Sequence, residues 1–297
     1  MRLTGPIAAS TISYSLMTLT DTLLVGHLGR SELAGVALGG LFSFVLVCFS
    51  FGLLRAANTL VSQAVGAGRA DRATVFLGAA LVTGLGLGLV TVLVGQVVAL
   101  LLPHLTATAA AGRAARTYLA IRILGAPLAL SYVALREVSY GRGNAGAPMR
   151  ATVAANLVNI ALAYLLVFVW DFGVAGAALA TVLANAVELG GLLFRQRDLG
   201  LRQVTRAELR ALWRLGTPTG VQYILEVGSF AILSMAISLR SDAEMAAHQI
   251  AIQVIHFTFL PVWAVGEAGA VLAGQAVGAD EDGLVVRVFR LAMTVTG

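Results

Sequence analysis

The sequence predicts an all-α polytopic membrane protein made of parallel six-helix lobes, with the first lobe complete and the second partial. Of its 297 residues, 58% are apolar and 12% are charged, whereas a soluble domain carries roughly 25% charged residues. The apolar residues fall into blocks of the about 20 residues that a helix needs to cross a bilayer. Parts of the chain also recur at an offset of 212 residues. These observations exclude a soluble globular protein.

Eight apolar blocks are long enough to span the membrane, and a ninth begins. The first block is too long for the apolar region of a cleaved signal peptide and contains Asp21. The blocks cover about residues 5–25, 33–54, 75–102, 117–138, 150–170, 173–194, 214–239 and 245–272, with a last run at 284–297. The predicted divisions are an N-terminal lobe at 1–197, a cytoplasmic linker at 198–213 and a partial second lobe at 214–297.

The charges of the loops predict the orientation. Loops after the second, fourth and sixth blocks carry eight net positive charges, and the other loops sum to zero. Cytoplasmic loops are enriched in arginine and lysine, so we expect a multi-pass protein of the plasma (inner) membrane with a cytoplasmic N-terminus. The arginines form no basic patch with interleaved aromatic residues, which argues against a nucleic-acid partner. The single cysteine, Cys48, has no partner for an intramolecular disulfide.

The internal repeat is the most informative feature. The matched positions are Leu3 and Leu215, Pro6 and Pro218, Glu32 and Glu244, Ala34 and Ala246, and the segments 63–67 and 275–279, both Gln-Ala-Val-Gly-Ala. An even number of blocks separates the two copies, so both enter the membrane in the same direction, as in the parallel repeats of transporters. A complete second copy would end near residue 424, so the sequence is expected to be C-terminally truncated, with about 1.4 copies.

Several segments, in order along the chain, carry a resemblance to a known family. They are Leu19-Thr20-Asp21-Thr22-Leu23-Leu24-Val25-Gly26-His27-Leu28-Gly29, the segment 60–68, Gly141-Arg142-Gly143 with Pro148-Met149, the segment 156–159, the segment 176–181, Pro218, Glu226 and the segment 246–251. The chain resembles the MATE (multidrug and toxic compound extrusion) family and is NorM-like. The resemblance covers the whole chain.

The resemblance implies a secondary antiporter with two lobes around a central cavity. Protons or sodium ions would run inward while small organic, often cationic, drugs or toxins are exported, and no cofactor is implied. One alternative is a lipid-linked oligosaccharide flippase, for which a strongly basic cavity is expected; Arg122 is the clearest arginine inside a block. Another is a truncated membrane fragment without transport activity. A monomer is expected, and no nucleophile–base pair or phosphate loop indicates an enzyme.

Asp21 is the first candidate for cation coupling. A carboxylate within a membrane helix costs at least about 2.5 kcal/mol and usually marks an ion pathway, although an interfacial aspartate near a helix end is the alternative. The resemblance adds Asn159 and Thr181 as neutral oxygen ligands, so the only metal expected is sodium at these three residues. Asn159 has the alternative role of a helix–helix hydrogen bond. Ala163 stands where many relatives have a second aspartate.

Glu226 is the second candidate. It lies 12 residues into the seventh block, near the bilayer midplane. It matches a second-lobe glutamate of NorM-type transporters that works with an acidic residue in a later helix, which in this protein would lie beyond Gly297. The alternative is a glutamate held neutral by a neighbouring helix.

Candidate cavity-lining residues complete the set, namely Asn156, His248, Glu188 and Glu267. Glu188 and Glu267 lie toward cytoplasmic helix ends, where snorkelling is inexpensive, so a structural role is preferred for both. Arg55 and Glu267 are repeat equivalents and are predicted to pair across the lobe interface. His248 either titrates near neutral pH or is simply hydrogen-bonded. The two Gln-Ala-Val-Gly-Ala segments are interpreted as tight helix exits.

Overall fold

The computed structural model describes residues 3–106, 108–194, 196, 198–238 and 242–296, and no strand occurs among them. The all-α prediction is therefore confirmed. The α-helices are α1 (Thr4–Gly26), α2 (Arg30–Gly66), α3 (Ala70–Leu101), α4 (Ala109–Arg122), α5 (Ala126–Gly141), α6 (Gly146–Tyr164), α7 (Gly173–Leu193), α8 (Arg206–Ser238), α9 (Asp242–Gly278) and α10 (Asp282–Thr296).

Each predicted block corresponds to one helix, except the fourth, which is divided. Here α4 and α5 are joined by a 3-10 turn at Ile123–Gly125. Pro127 lies in the first turn of α5, and because proline has no backbone N–H, an α-helical hydrogen bond is lost at the turn. The chain also departs from α-helical geometry after α6, where Leu165–Val169 form a π-helical segment.

The second helix is much longer than its apolar block. It continues 12 residues past the predicted end at residue 54, to Gly66. Polar residues such as Asn58 and Ser62 interrupt the apolar pattern in this part, yet both are buried against other helices rather than lipid. The hydropathy pattern therefore ends before the helix does, because the last part of α2 buries polar residues among other helices.

Six described segments are long and apolar enough to cross a membrane. They are Arg30–Gly66, Ala70–His104, Ala109–Gly141, Gly146–Val169, Gly173–Leu193 and Phe259–Gly278. Large apolar side chains such as Leu93 and Leu157 are 70% and 65% exposed on these segments, as expected of surfaces that face lipid. The protein is thus multi-pass, and the eight complete spans and the divisions at 197 and 213 stay predictions; α8 begins at Arg206, inside the predicted linker.

The internal repeat is visible in the helix boundaries. The helices α2 and α9 end 212 positions apart, at 66 and 278. The next helices, α3 and α10, also begin 212 positions apart, at 70 and 282. The two copies therefore share a structure as well as a sequence pattern.

The turns after α2 and α9 have the same hydrogen bonds. Arg69 N donates to Ala64 O at 2.8 Å, and Glu281 N donates to Ala276 O at 3.0 Å. At the same place in each turn the backbone is left-handed, with φ of 70° at Gly68 and 61° at Asp280. Aspartate tolerates this conformation better than most residues other than glycine. The two turns therefore have the same conformation, although one contains Gly68 and the other Asp280.

The two lobes meet along α2, α8 and α9 through backbone-to-backbone contacts. A methyl group on Gly66 would overlap the carbonyl group of Gln275, and one on Gly278 would overlap that of Gln63. These two contacts are repeat equivalents, so each copy packs its glycine against the other copy's glutamine. The structural interpretation of the Gln-Ala-Val-Gly-Ala segments is confirmed by these close contacts, which only small residues allow.

Candidate functional site

The structure brings Asp21, Asn159 and Thr181 together from α1, α6 and α7. The Thr181 hydroxyl lies 3.5 Å from Asp21 Oδ2 and 3.1 Å from the carbonyl oxygen of Ala177. Asn159 Nδ2 donates a hydrogen bond to the same hydroxyl at 3.4 Å. Asn159 and Thr181 are fully buried, with exposures of 0% and 1%. One carboxylate and two neutral oxygen-bearing side chains thus share one pocket inside the first lobe.

Two oxygen atoms at this pocket, Asp21 Oδ1 and Asn159 Oδ1, have no hydrogen-bond partner among the described residues. Asn156 lies one turn before Asn159 on α6, outside the pocket, and its amide nitrogen donates to Ser13 of α1. An unsatisfied buried acceptor costs about 1–3 kcal/mol, so a cation or a proton in the pocket would relieve both oxygens. Such an oxygen set suits a hard cation such as sodium.

Ala163 occupies the position where relatives are expected to carry a second carboxylate. It is completely buried and packs in an apolar cluster with Leu166 of the π-helical segment and Ala180 of α7. A carboxylate there would have to displace this apolar packing. The pocket at Asp21 therefore contains a single carboxylate.

Glu188 is buried rather than snorkelling to water, with only 8% of its surface exposed. Thr152 Oγ1 lies 2.8 Å from Glu188 Oε1, at hydrogen-bonding distance, and the Thr152 hydroxyl is also 2.6 Å from the hydroxyl of Tyr132. Neighbouring side chains of α5 and α6 can satisfy this carboxylate, so it does not need to reach water.

Glu267 is also buried rather than snorkelling, with 7% exposure. It forms an ion pair with Arg55, which confirms the predicted pairing of these repeat equivalents. Arg55 also donates to the hydroxyl of Tyr223 at 2.8 Å and lies 5.1 Å from the ring centre of Trp263. This ion pair connects the first lobe to the second.

A second ion pair was missed by the sequence reasoning. Glu137 is 2% exposed and accepts a hydrogen bond from Arg136 at 2.8 Å, and Asn58 Nδ2 lies 3.4 Å from its other oxygen. The adjacent Arg136-Glu137 pair inside an apolar block was the available signal, since charges within the membrane are rarely left unpaired.

Glu226 is not brought into this pocket. It is exposed on α8, and its coupling role stays a prediction. His248 belongs to α9, but its side chain lies outside the described residues. Of the predicted coupling residues, the structure therefore brings together Asp21, Asn159 and Thr181.

Duplicated helical lobes with carboxylates held between membrane helices are characteristic of secondary transporters. The family model MatE matches residues 6–165 and 218–297. The chain belongs to this family, the MATE multidrug efflux transporters. Their function is transport rather than catalysis.

Relatives and solved structures agree with this assignment. A probable multidrug resistance protein NorM of Pseudomonas syringae pv. tomato is 31% identical over 293 residues, which are 94% of this chain and 64% of that protein. The DNA damage-inducible protein F of Escherichia coli is 32% identical over 98% of this chain and 66% of its own length. A MATE crystal structure in the bent conformation has a TM-score of 0.90 at 24% identity, covering 99% of this chain and 68% of that one. The chain thus spans somewhat less than two thirds of the length of the NorM relative.

Proposed function

We propose that the chain belongs to a cation-coupled antiporter that exports small organic, often cationic, drugs or toxins. A proton or a sodium ion would enter from outside and bind at Asp21. The observation that carries the proposal is the pair of buried, unpartnered oxygens of Asp21 and Asn159 at this pocket. A cation or a proton would satisfy these oxygens, which otherwise bear the cost of burial without a partner.

The residues of the pocket would act differently toward the two coupling ions. Sodium would take oxygen ligands from Asp21, Asn159 and Thr181. A proton would convert the Asp21 carboxylate into a carboxyl group with one O–H, whose hydrogen bond the free amide oxygen of Asn159 can accept. In both cases the single negative charge is neutralised, so one elementary charge enters per cycle at this pocket.

The flippase alternative is not favoured by the described residues. Arg55 and Arg136, two arginines inside the helical bundle, are each paired with a glutamate. Their charges are therefore neutralised locally and do not make a basic cavity for a lipid-linked diphosphate.

Substitution at the coupling residues tests the function. Asp21→Asn and Glu226→Gln are each expected to slow ethidium or norfloxacin export from energised vesicles by roughly tenfold or more, because an amide cannot supply the negative charge that holds the cation. The exposed Glu281→Gln in the turn before α10 is the matched control and should export normally. Unchanged export in both variants would reject the coupling assignment, and a wild-type protein without ion-driven export would reject the function.

Reporter fusions test the proposed orientation in the inner membrane. A reporter fused after Arg206, in the arginine-containing loop between the sixth and seventh apolar blocks, is expected to be cytoplasmic. One fused after Asp171, in the turn between the π-helical segment and α7, should be periplasmic. Alkaline phosphatase and green fluorescent protein activities distinguish the two sides. The reverse pattern would overturn the orientation.

A further inference from the structure

Polar residues form facing stripes on α6 and α7 that extend beyond the Asp21 pocket. Each stripe has three members at a spacing that puts them on one helix face. The members are Thr152, Asn156 and Asn159 on α6, and Thr181, Asn185 and Glu188 on α7. All six are buried, with exposures of 8% or less. The one ionisable member, Glu188, marks a candidate ion path inside the membrane lobe, and the neutral members are placed to line it.

Hydrogen bonds join the stripes at both ends. Asn159 contacts Thr181 at the outer end, and Thr152 contacts Glu188 at the other end. The two contacts are seven residues apart on each helix, which is about 10 Å along the helix axes. Because α6 and α7 are antiparallel and keep the same register, Asn156 and Asn185 lie between these contacts. The six residues therefore form one polar column.

The middle of the column has one donor and one acceptor without partners. Asn185 Nδ2 and Asn156 Oδ1 are both buried and make no hydrogen bond with the described residues. Buried water usually satisfies such groups where the site is polar. Water here could accept from Asn185 and donate to Asn156, which would connect the two ends of the column.

The carboxylates at the two ends share an electrostatic neighbour. Arg122, at the end of α4, interacts electrostatically with Asp21 and with Glu188. Arg136 is the other charged group near Glu188, and Tyr132 is the other titratable one. The positive charge of Arg122 therefore acts on the carboxylates at both ends of the column.

We propose that this column is a proton path and that Glu188 is its cytoplasmic end. The Asp21 carboxyl group gives its proton to a bridging water, and water gives a proton to the Glu188 carboxylate. The net change is that Asp21 regains its negative charge and Glu188 becomes neutral. Thr152 and Tyr132 hold Glu188 in place. The inference rests on the proposed function and specifies the proton as the ion that travels through this lobe.

Proton movement in proteoliposomes that contain the protein and a pH-sensitive dye tests the column. Glu188→Gln is expected to slow substrate-driven proton movement about tenfold, equivalent to about 1.4 kcal/mol of barrier. Ethidium binding in detergent should be retained, and Glu188→Asp should recover part of the rate. Glu281→Gln is the control for removing a carboxylate elsewhere.

Asn185→Leu separates a proton path from a purely structural network. Replacing an unpaired buried donor by an apolar group of similar size should keep or raise the melting temperature, while slowing proton movement. Wild-type movement in both Glu188→Gln and Asn185→Leu would overturn the column and leave the proposed function standing. Absence of substrate-driven proton movement in a wild-type protein that still exports substrate with sodium would reject the column alone, whereas absence of both proton-driven and sodium-driven export would reject the proposed function.

Discussion

Glu267→Gln is expected to lower the free energy of unfolding by about 3 kcal/mol, because it leaves the Arg55 guanidinium in the lobe interface without a counter-charge. The side chains of Arg55 and Glu267 are 28% and 8% exposed, so water can replace the lost partner only in part. The value is at the lower end of the range for broken buried pairs because Arg55 keeps this exposure. Tyr223 and Trp263 hold the guanidinium in place and prevent it from turning toward water.

A double variant separates the desolvation of the charge from the loss of packing. Arg55→Met combined with Glu267→Leu removes both charges and keeps apolar volume, so its stability should return to within about 1 kcal/mol of the wild type. Denaturant unfolding in detergent micelles measures both variants, with Glu281→Gln as the exposed control. A double variant as unstable as the single one would show that the ion pair itself, and not the isolated charge, stabilises the interface.

Gly66→Ala is expected to destabilise the protein by about 1–3 kcal/mol, the usual cost of overpacking a tight contact. The added methyl group overlaps the carbonyl group of Gln275, and backbone atoms cannot move aside as a side chain can. The substitution therefore pushes α2 and α9 apart. Gly278→Ala should have a similar effect, because its methyl group meets Gln63 in the equivalent way.

Two comparisons make this prediction specific. Gly86 lies on α3 with nothing within 4 Å of an added methyl group, so Gly86→Ala should be neutral or stabilising by up to about 1 kcal/mol. The double variant Gly66→Ala and Gly278→Ala should cost less than the sum of its parts, because residues at one interface couple. The melting temperature in detergent is measured for the three single variants and for the double variant. Equal melting temperatures for Gly66→Ala and Gly86→Ala would contradict the close approach of the lobes.

Much of the fold follows from the spacing of apolar residues and from the repeat. Each block located one described helix except the fourth, which covers both α4 and α5, and the offset of 212 residues reappears in the ends of α2 and α9. The extension of α2 was missed because Asn58 and Ser62 are buried by neighbouring helices, which hydropathy does not detect. The division of α4 from α5 was not predicted, because Pro127 lies within a long apolar run that hydropathy alone predicts as one helix.

The pocket was predictable only where the resemblance named its residues. Asp21, Asn159 and Thr181 lie far apart in the sequence, and no spacing rule joins them. Asn185 has no charge to mark it within an apolar block, although its position four residues after Thr181 and three before Glu188 places all three on one face of α7. The Glu188 hydrogen bonds depend on Thr152 and Tyr132, which come from other helices.

The ion pair at the lobe interface has a consequence for recognition between lobes. Arg55 and Glu267 occupy equivalent positions in the two repeats, so they face each other near the axis that relates the copies. Two first lobes meeting through this surface would bring two arginines together, and two second lobes would bring two glutamates together. Like charges in one interface disfavour a wrong partner. The pair therefore favours contact between a first lobe and a second lobe. It disfavours contact between two copies of the same lobe when several chains lie together in the membrane.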